Sequence, residues 1–153
     1  MCSSDLKHYY LVTNYNLEQY LLDAIDSIIA QYSDLDIFHT NAVILISDDC
    51  SKSTEARETI AGISVQHKNV KYWIQPENLG VGANKSFLLE QVRDMGLKPN
   101  DYVTFLDADD MLSTNCMMLR SDAFEQDFTL QAVGGQLHVI SKDRKSTRLN
   151  SSH

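Results

Sequence analysis

The stretch that decides the fold is Ala42-Val43-Ile44-Leu45-Ile46, which runs directly into the polar turn Ser47-Asp48-Asp49-Cys50-Ser51. Five apolar residues in succession predict a strand that is buried on both faces, as the strands of parallel sheets are. Further apolar runs predict strands over residues 9–12, 70–74 and 102–106, and a last strand around residues 129–140.

Helical patterns separate these strands. From Leu17 onward, apolar residues recur at steps of three and four, which predicts an amphipathic helix over residues 17–31. Capping residues at Ser53-Thr54-Glu55 open a second predicted helix, and two more are expected over residues 83–95 and 113–125. The alternation predicts an α/β fold with right-handed βαβ units, a twisted, mostly parallel sheet and helices on both faces.

Polar turns follow three of the predicted strands, at residues 13–16, 47–51 and 107–110. In an open parallel sheet, ligands bind beyond the carboxyl ends of the strands. The three turns are therefore expected to meet at one ligand-binding edge.

The turn Asp107-Ala108-Asp109-Asp110 carries three carboxylates within four residues. Their mutual repulsion would be relieved by a hard divalent cation such as Mg²⁺ or Mn²⁺, which prefers oxygen ligands and can hold a diphosphate. The alternative is a solvated acidic loop that caps the next helix. The strand before the cluster favours the metal site, because it places the carboxylates at the ligand-binding edge.

The remaining polar turns allow two readings each. The pair Asp48-Asp49 either caps its own turn or accepts hydrogen bonds from a base or a ribose. Tyr15 either stacks on a planar base or simply packs. Gly80 and Gly82 either shape a turn or allow backbone to approach a phosphate, with Lys85 as a positive point charge.

The composition limits the classes of function. The chain has 153 residues, of which 43% are hydrophobic, and this is enough for one sizeable core. A net charge of −8 argues against nucleic acid as a partner, because phosphate contacts need Lys and Arg. The sequence shows no transmembrane run or secretory signal, and its three cysteines fit neither a disulfide framework nor a zinc site. We therefore expect a cytoplasmic protein.

The last twelve residues differ from the rest. Residues 142–153 hold four basic and one acidic side chain and lack apolar periodicity. We expect residues 1–141 to form the domain and residues 142–153 to be a non-native or disordered tail.

Taken together, the motifs resemble those of family-2 glycosyltransferases with the GT-A fold, a Rossmann-like fold. The resemblance covers residues 8 to about 112, in matching order. It rests on the segments Thr13-Asn14-Tyr15-Asn16 (P-x-Y-N), Ser27-Ile28-Ile29-Ala30-Gln31 (S-[IL]-x-x-Q), Asp48-Asp49-Cys50-Ser51 (D-D-G-S), Glu77-Asn78-Leu79-Gly80 (E-N-x-G) and Phe105-Leu106-Asp107-Ala108-Asp109-Asp110 (F-L-D-x-D-D).

The resemblance implies a role for each motif. Asp109 would be the main ligand of Mn²⁺ or Mg²⁺, with Asp107 beside it. Asp48 and Asp49 would both belong to the nucleotide-sugar site, with Asp49 as the residue that hydrogen-bonds the base, usually uracil. The other implied donor-site residues are Thr13, Tyr15 and Asn16 at the base, Lys85 at the phosphates, and Asp107, Ala108 and Asp110 at the ribose or donor sugar.

It also implies a reaction. A sugar would pass with inversion from a nucleoside-diphosphate sugar to a hydroxyl of a glycan or lipid-linked acceptor, as in polysaccharide biosynthesis. The family's catalytic base lies after the metal motif, where about 30 plausible native residues remain. We therefore expect a donor-binding part that is truncated at the C-terminal side and inactive alone. We expect it to be cytoplasmic, and peripheral to the inner membrane face if its acceptor is lipid-linked.

Three positions depart from the family pattern, and three other functions stay open. Thr13 replaces proline, Cys50 replaces glycine and Lys85 replaces arginine. If Cys50 needs a positive φ, the strain is about 1 kcal/mol.

The alternatives to a glycosyltransferase are a nucleotidyltransferase of sugar phosphates, a Mg²⁺-binding phosphoacceptor signalling domain and a non-catalytic nucleotide-binding remnant.

Overall fold

The computed structural model describes residues 6–134, 138–140 and 146–148. The chain divides into two compact units, Met1–Thr114 and Asn115–His153. The first unit contains, in chain order, β1 (His8–Asn14), α1 (Glu18–Ile29), α2 (Leu35–Asn41), β2 (Ala42–Asp48), α3 (Thr54–Gln66), β3 (Val70–Ile74), α4 (Val81–Asp94) and β4 (Tyr102–Asp107). The second contains α5 (Cys116–Gln126) and the antiparallel pair β5 (His138–Ile140) and β6 (Ser146–Arg148).

The sheet of the first unit is parallel throughout, in the order β3-β2-β1-β4. The chain builds the sheet outward from β1 to β3, and then crosses to the opposite side of β1 to form β4. This reversal creates a switch point between β1 and β4, which is where open α/β sheets bind ligands. The predicted α/β fold with a parallel sheet is confirmed.

Side chains alternate between the two faces of the sheet. Tyr9, Leu11 and Leu45 pack on one face against Leu88 and Val92 of α4. The residues between them point to the opposite face, where α1 contacts β1 and α3. Helices therefore cover both faces, as the all-apolar strands predict.

The strands run further than their apolar cores. β3 has the predicted bounds, whereas β1, β2 and β4 continue into the polar residues that follow them. Each added residue extends the ladder at the carboxyl edge, so Thr13, Asp48 and Asp107 are held by sheet hydrogen bonds rather than by loops.

The secondary structure departs from the sequence pattern in two places. The pattern did not predict α2, a seven-residue helix whose first turn is capped by the Asp34 side chain, 2.8 Å from the Ile37 amide nitrogen. The expected strand at 129–140 does not begin at residue 129, because Thr129 folds back onto the carboxylate of Asp127. Residues 135–137 lie outside the described residues.

None of the described helices has the length and hydrophobicity that crossing a membrane requires.

Two histidines join the end of α2 to the end of α3. His39 Nε2 lies 3.1 Å from His67 Nδ1, and both rings contact the buried Phe38. Burial lowers the pKa of His67 below its ordinary value, the neighbouring His39 lowers this pKa further, and Asp26 opposes the shift.

This lowered pKa predicts a loss of stability in mild acid. The unfolded state binds more protons than the folded state, so the free energy of unfolding should fall as the pH falls through about 6.5 toward the folded-state pKa. Urea unfolding at pH 7.5 and pH 5.5 measures the effect. The loss should be smaller for His67→Gln than for the wild type, and an equal loss in both would contradict the assignment.

Candidate functional site

Three strand ends meet at the carboxyl edge of the sheet. Thr13 of β1 is in register with Ser47 of β2 on one side and with Asp107 of β4 on the other. Asn14 is in register with Asp48. The convergence that the sequence predicts for the three polar turns is therefore present in the structure.

The acidic cluster lies immediately after β4. One carboxylate oxygen from each of Asp107, Asp109 and Asp110 lies within 4.8 Å of the other two. A tight turn holds them together, since the Asp110 amide donates to the Asp107 carbonyl at 2.9 Å. Asp107 is half-buried, and the other two side chains are exposed.

The charges of this cluster are only partly compensated. Although the Asp110 side chain is largely exposed, partial burial of its carboxyl raises its pKa, Asp109 and Asp107 raise this pKa further, and Lys85 lowers it. Around Mg²⁺ with bonds of about 2.1 Å, neighbouring ligand oxygens lie about 3 Å apart and opposite ones about 4.2 Å apart. The three carboxylate oxygens, which lie within 4.8 Å of one another, are close to that range, so these residues fit a divalent cation.

Two further predicted residues contact the cluster through Asp107. The hydroxyl of Thr13 donates to Asp107 Oδ1 at 2.8 Å, and Lys85 Nζ lies 3.3 Å from the same oxygen. Ala108 is fully buried, and its amide donates to the Thr13 carbonyl at 2.9 Å. The end of β1 and the first turns of α4 therefore both border the acidic cluster.

Asp48 is fully buried in a hydrogen-bond network. Its Oδ1 accepts from Asn14 Nδ2 at 2.8 Å and from the Ser51 hydroxyl at 2.5 Å, while its Oδ2 accepts from the Ser51 amide at 2.9 Å. The amide of Asn16 donates to the Ser51 hydroxyl, and Asn16 Oδ1 accepts from the amide of Lys52. The network braces the turn after β1 against the turn after β2.

Asp49 is 4% exposed and binds a different loop. Its two carboxylate oxygens accept the amides of Leu79, at 2.7 Å, and Gly80, at 2.9 Å. Gly80 precedes α4 with a φ of 91°, a conformation that favours glycine, so Asp49 provides negative charge at the N-terminus of that helix. Each oxygen keeps a second lone pair for another donor.

The turns after β1 and β2 each have one non-glycine residue in the left-handed region. Asn16 has a φ of 57°, which asparagine tolerates, and Cys50 has a φ of 63°. The positive φ at position 50 explains why glycine suits this place. Tyr15 is 40% exposed between braced neighbours.

Three buried polar side chains at this edge were not predicted from the sequence as a set. Asn84 of α4 is 1% exposed, exchanges two hydrogen bonds with Ser47, and thereby fixes α4 to the end of β2. Gln75 Nε2 donates to the same Ser47 hydroxyl at 3.0 Å. The signal for Asn84 was a polar residue on the inward face of a helix, which by itself does not identify its partner, and Gln75 follows β3 without such a signal.

A known protein family matches the sequence of this chain. The sequence model of glycosyl transferase family 2 matches residues 10–152. The chain belongs to that family. No curated protein sequence is significantly similar to it.

Three solved glycosyltransferase structures resemble the fold of this family member. TarS 1-349 of S. aureus, in complex with UDP-GlcNAc, has a TM-score of 0.60 at 23% identity over 79% of the chain. The mannosyltransferase PcManGT from Pyrobaculum calidifontis, in complex with GDP-Man and Mn²⁺, has a TM-score of 0.57 at 14% identity over 76% of the chain. GalNAc-T7 with UDP, GalNAc and Mn²⁺ has a TM-score of 0.62 at 14% identity over 95%.

These likenesses identify the fold as GT-A. The chain spans about a third of the length of the proteins compared, since it covers 31%, 32% and 30% of them respectively. Family and fold together make it a glycosyltransferase-like protein.

Proposed function

We propose that the chain forms the donor-binding part of a glycosyltransferase. In this proposal a sugar passes, with inversion, from a nucleoside-diphosphate sugar to an acceptor hydroxyl on a glycan or a lipid-linked molecule. The proposed donor is a UDP sugar. The observation that carries the proposal is the acidic cluster at the switch point, with Thr13 and Lys85 against Asp107, in a chain of this family. The complexes of similar folds with UDP-GlcNAc and GDP-Man support a nucleotide-sugar donor.

Asp109 and Asp107 are the proposed ligands of Mn²⁺ or Mg²⁺, and Asp110 lies near the donor sugar. When bound, the ion supplies electrostatic stabilisation to the departing diphosphate. Lys85 adds a positive point charge at the same place, because its ammonium already borders the cluster. Thr13 keeps Asp107 oriented through the hydroxyl contact.

The base is proposed to bind between the turns after β1 and β2. Tyr15 presents an exposed ring there, and Asn16 and Asp48 brace the turn from which it projects. Asn14 Oδ1 is buried without a hydrogen-bond partner among the described residues, which leaves one acceptor for a polar group of a ligand. Asp49 is the proposed hydrogen-bond partner of the base.

In this proposal residues 1–141 form the donor-binding domain, and residues 142–153 are not part of it. No described residue is assigned as the catalytic base. A location in the cytoplasm, at the inner membrane face for a lipid-linked acceptor, belongs to the same proposal.

Calorimetric titration of UDP tests this function. Circular dichroism first establishes that the purified chain is folded, and UDP is then titrated with Mn²⁺ and again with EDTA. We expect UDP to bind in Mn²⁺ and to bind more weakly in EDTA, because the ion joins the carboxylates to the diphosphate.

A folded chain that binds no UDP in Mn²⁺ would contradict the proposal. GDP and ADP serve as controls for base preference. Acetyl phosphate is the control for the signalling alternative, since only a phosphoacceptor domain should be phosphorylated by it.

A further inference from the structure

Ser27 lies in the last turn of α1 and Gln31 lies two residues after that helix, both in the segment that resembles S-[IL]-x-x-Q. Both side chains reach to residues 112 and 113, which follow the acidic cluster. These contacts link positions that are 82 and 85 residues apart in the chain.

The hydroxyl of Ser27 makes two hydrogen bonds of opposite sense. It donates to the Ala24 carbonyl in its own helix at 2.6 Å and accepts from the Leu112 amide at 3.0 Å. Because its single hydrogen is used within α1, the lone pair facing Leu112 is fixed in direction. Ser27 is 7% exposed, so water competes little for this contact.

The side-chain amide of Gln31 holds the next residue. Its Nε2 donates to the Ser113 carbonyl at 2.9 Å and to the Ser27 carbonyl at 3.0 Å. Ser27 and Gln31 therefore hold one backbone donor and one backbone acceptor on consecutive residues. This fixes both the position and the direction of the chain as it leaves the cluster.

The other end of the same segment is fixed by the sheet. The Ala108 amide donates to the Thr13 carbonyl at 2.9 Å, and the Asp107 side chain accepts from the Thr13 hydroxyl. Residues 109–111 thus lie between two tethers, one on β1 and one on α1. Asp109 and Asp110 are exposed and like-charged, so their carboxylates repel each other, and within the segment the turn bond from the Asp110 amide to the Asp107 carbonyl opposes that repulsion.

We propose that Ser27 and Gln31 are positioning residues that hold Asp109 and Asp110 in the arrangement that binds a divalent cation. The inference rests on the proposed function, because the ion belongs to the donor site. Removing a group that holds a metal ligand in place commonly lowers the metal affinity by about 10- to 100-fold.

The test uses Ser27→Ala and Gln31→Met, alone and combined. Gln31→Met keeps the length of the side chain and removes the donor. We expect the affinity for Mn²⁺ in the presence of UDP to fall by about 10-fold in each single variant. The affinity for uridine in EDTA should stay unchanged, because the base-side turns are not tethered by these residues.

Ser64→Ala is the matched control. Ser64 also donates its hydroxyl to the carbonyl three residues earlier in its helix, Ala61, at 2.8 Å. Its removal costs the same kind of helix bond and should leave Mn²⁺ affinity at the wild-type value. Urea unfolding of each variant shows what fraction is folded under the binding conditions.

Amide hydrogen exchange of residues 109–113 measures how firmly this segment is held when no ligand is present. Exchange should be faster in Ser27→Ala and Gln31→Met than in Ser64→Ala. Faster exchange with wild-type Mn²⁺ affinity would overturn the positioning role. An equal loss of uridine affinity would also overturn it, since that result indicates a general structural defect. A wild-type chain that binds neither Mn²⁺ nor UDP would instead overturn the proposed function, and the positioning role with it.

Discussion

Asp109→Ala is expected to abolish Mn²⁺-dependent binding of UDP, with a loss of more than about 100-fold, and to leave the fold largely intact. Removing a direct ligand should exceed the 10- to 100-fold effects that are typical of outer partners. Asp109 is exposed, so its replacement leaves no buried group unpaired. Calorimetry of UDP with Mn²⁺ measures the loss, and circular dichroism with urea unfolding measures the fold.

Asp36→Ala is the control for net charge, because Asp36 is an exposed carboxylate in the first turn of α2. It should bind UDP like the wild type. Unchanged UDP affinity in Mn²⁺ for Asp109→Ala would overturn the metal assignment. Asp109→Asn refines the result, since it keeps the shape and removes the charge; it too should bind UDP weakly in Mn²⁺.

Asp48→Ala and Asp49→Ala are expected to have different consequences although the residues are adjacent. Asp48→Ala leaves the buried donors of Asn14 and Ser51 without their acceptor, and should lower the free energy of unfolding by about 3 kcal/mol. Asp49→Ala should weaken uridine binding by about 10-fold or more, with and without metal, because a charge-assisted hydrogen bond is worth about 1.5–3 kcal/mol.

Urea unfolding and uridine titration, performed on both variants, separate the two roles. Asp48→Asn is the matched control, since it keeps one acceptor oxygen and should be less destabilised than Asp48→Ala. If Asp49→Ala unfolds instead, then capping of the loop at Leu79 and Gly80 is its role. If Asp48→Ala is as stable as the wild type, the bracing network contributes little to the fold.

The strands and the convergence of the turns could be predicted from the sequence because they follow from local patterns. The run at residues 70–74 has the length and composition of a strand, and β3 has those bounds. The meeting of Thr13 with Asp107 follows from a rule about the ends of parallel strands. The α2 helix was missed because seven residues that run directly into β2 give too few turns for a helical period.

The contacts that shape the site could not be predicted in the same way. Asp49 was expected to face a base, but the sequence does not show that its oxygens also accept the amides of a loop 30 residues away. The same holds for Gln31 and Ser113, which are 82 residues apart. Such pairs are set by how α1, α4 and the sheet pack, and each amide or hydroxyl has many partners that chemistry alone would allow.

The central position of β1 in the sheet also determines the order in which the sheet can assemble during synthesis. β1 pairs with β2 on one side and β4 on the other, and Thr13 meets Asp107 across 94 residues. At synthesis rates of about 5–20 residues per second, the first strand waits roughly 5–20 s after it is translated for its second neighbour. During that interval an apolar strand has one open edge, which is a hazard for aggregation, and the ligand-binding edge cannot be complete before the fourth strand emerges.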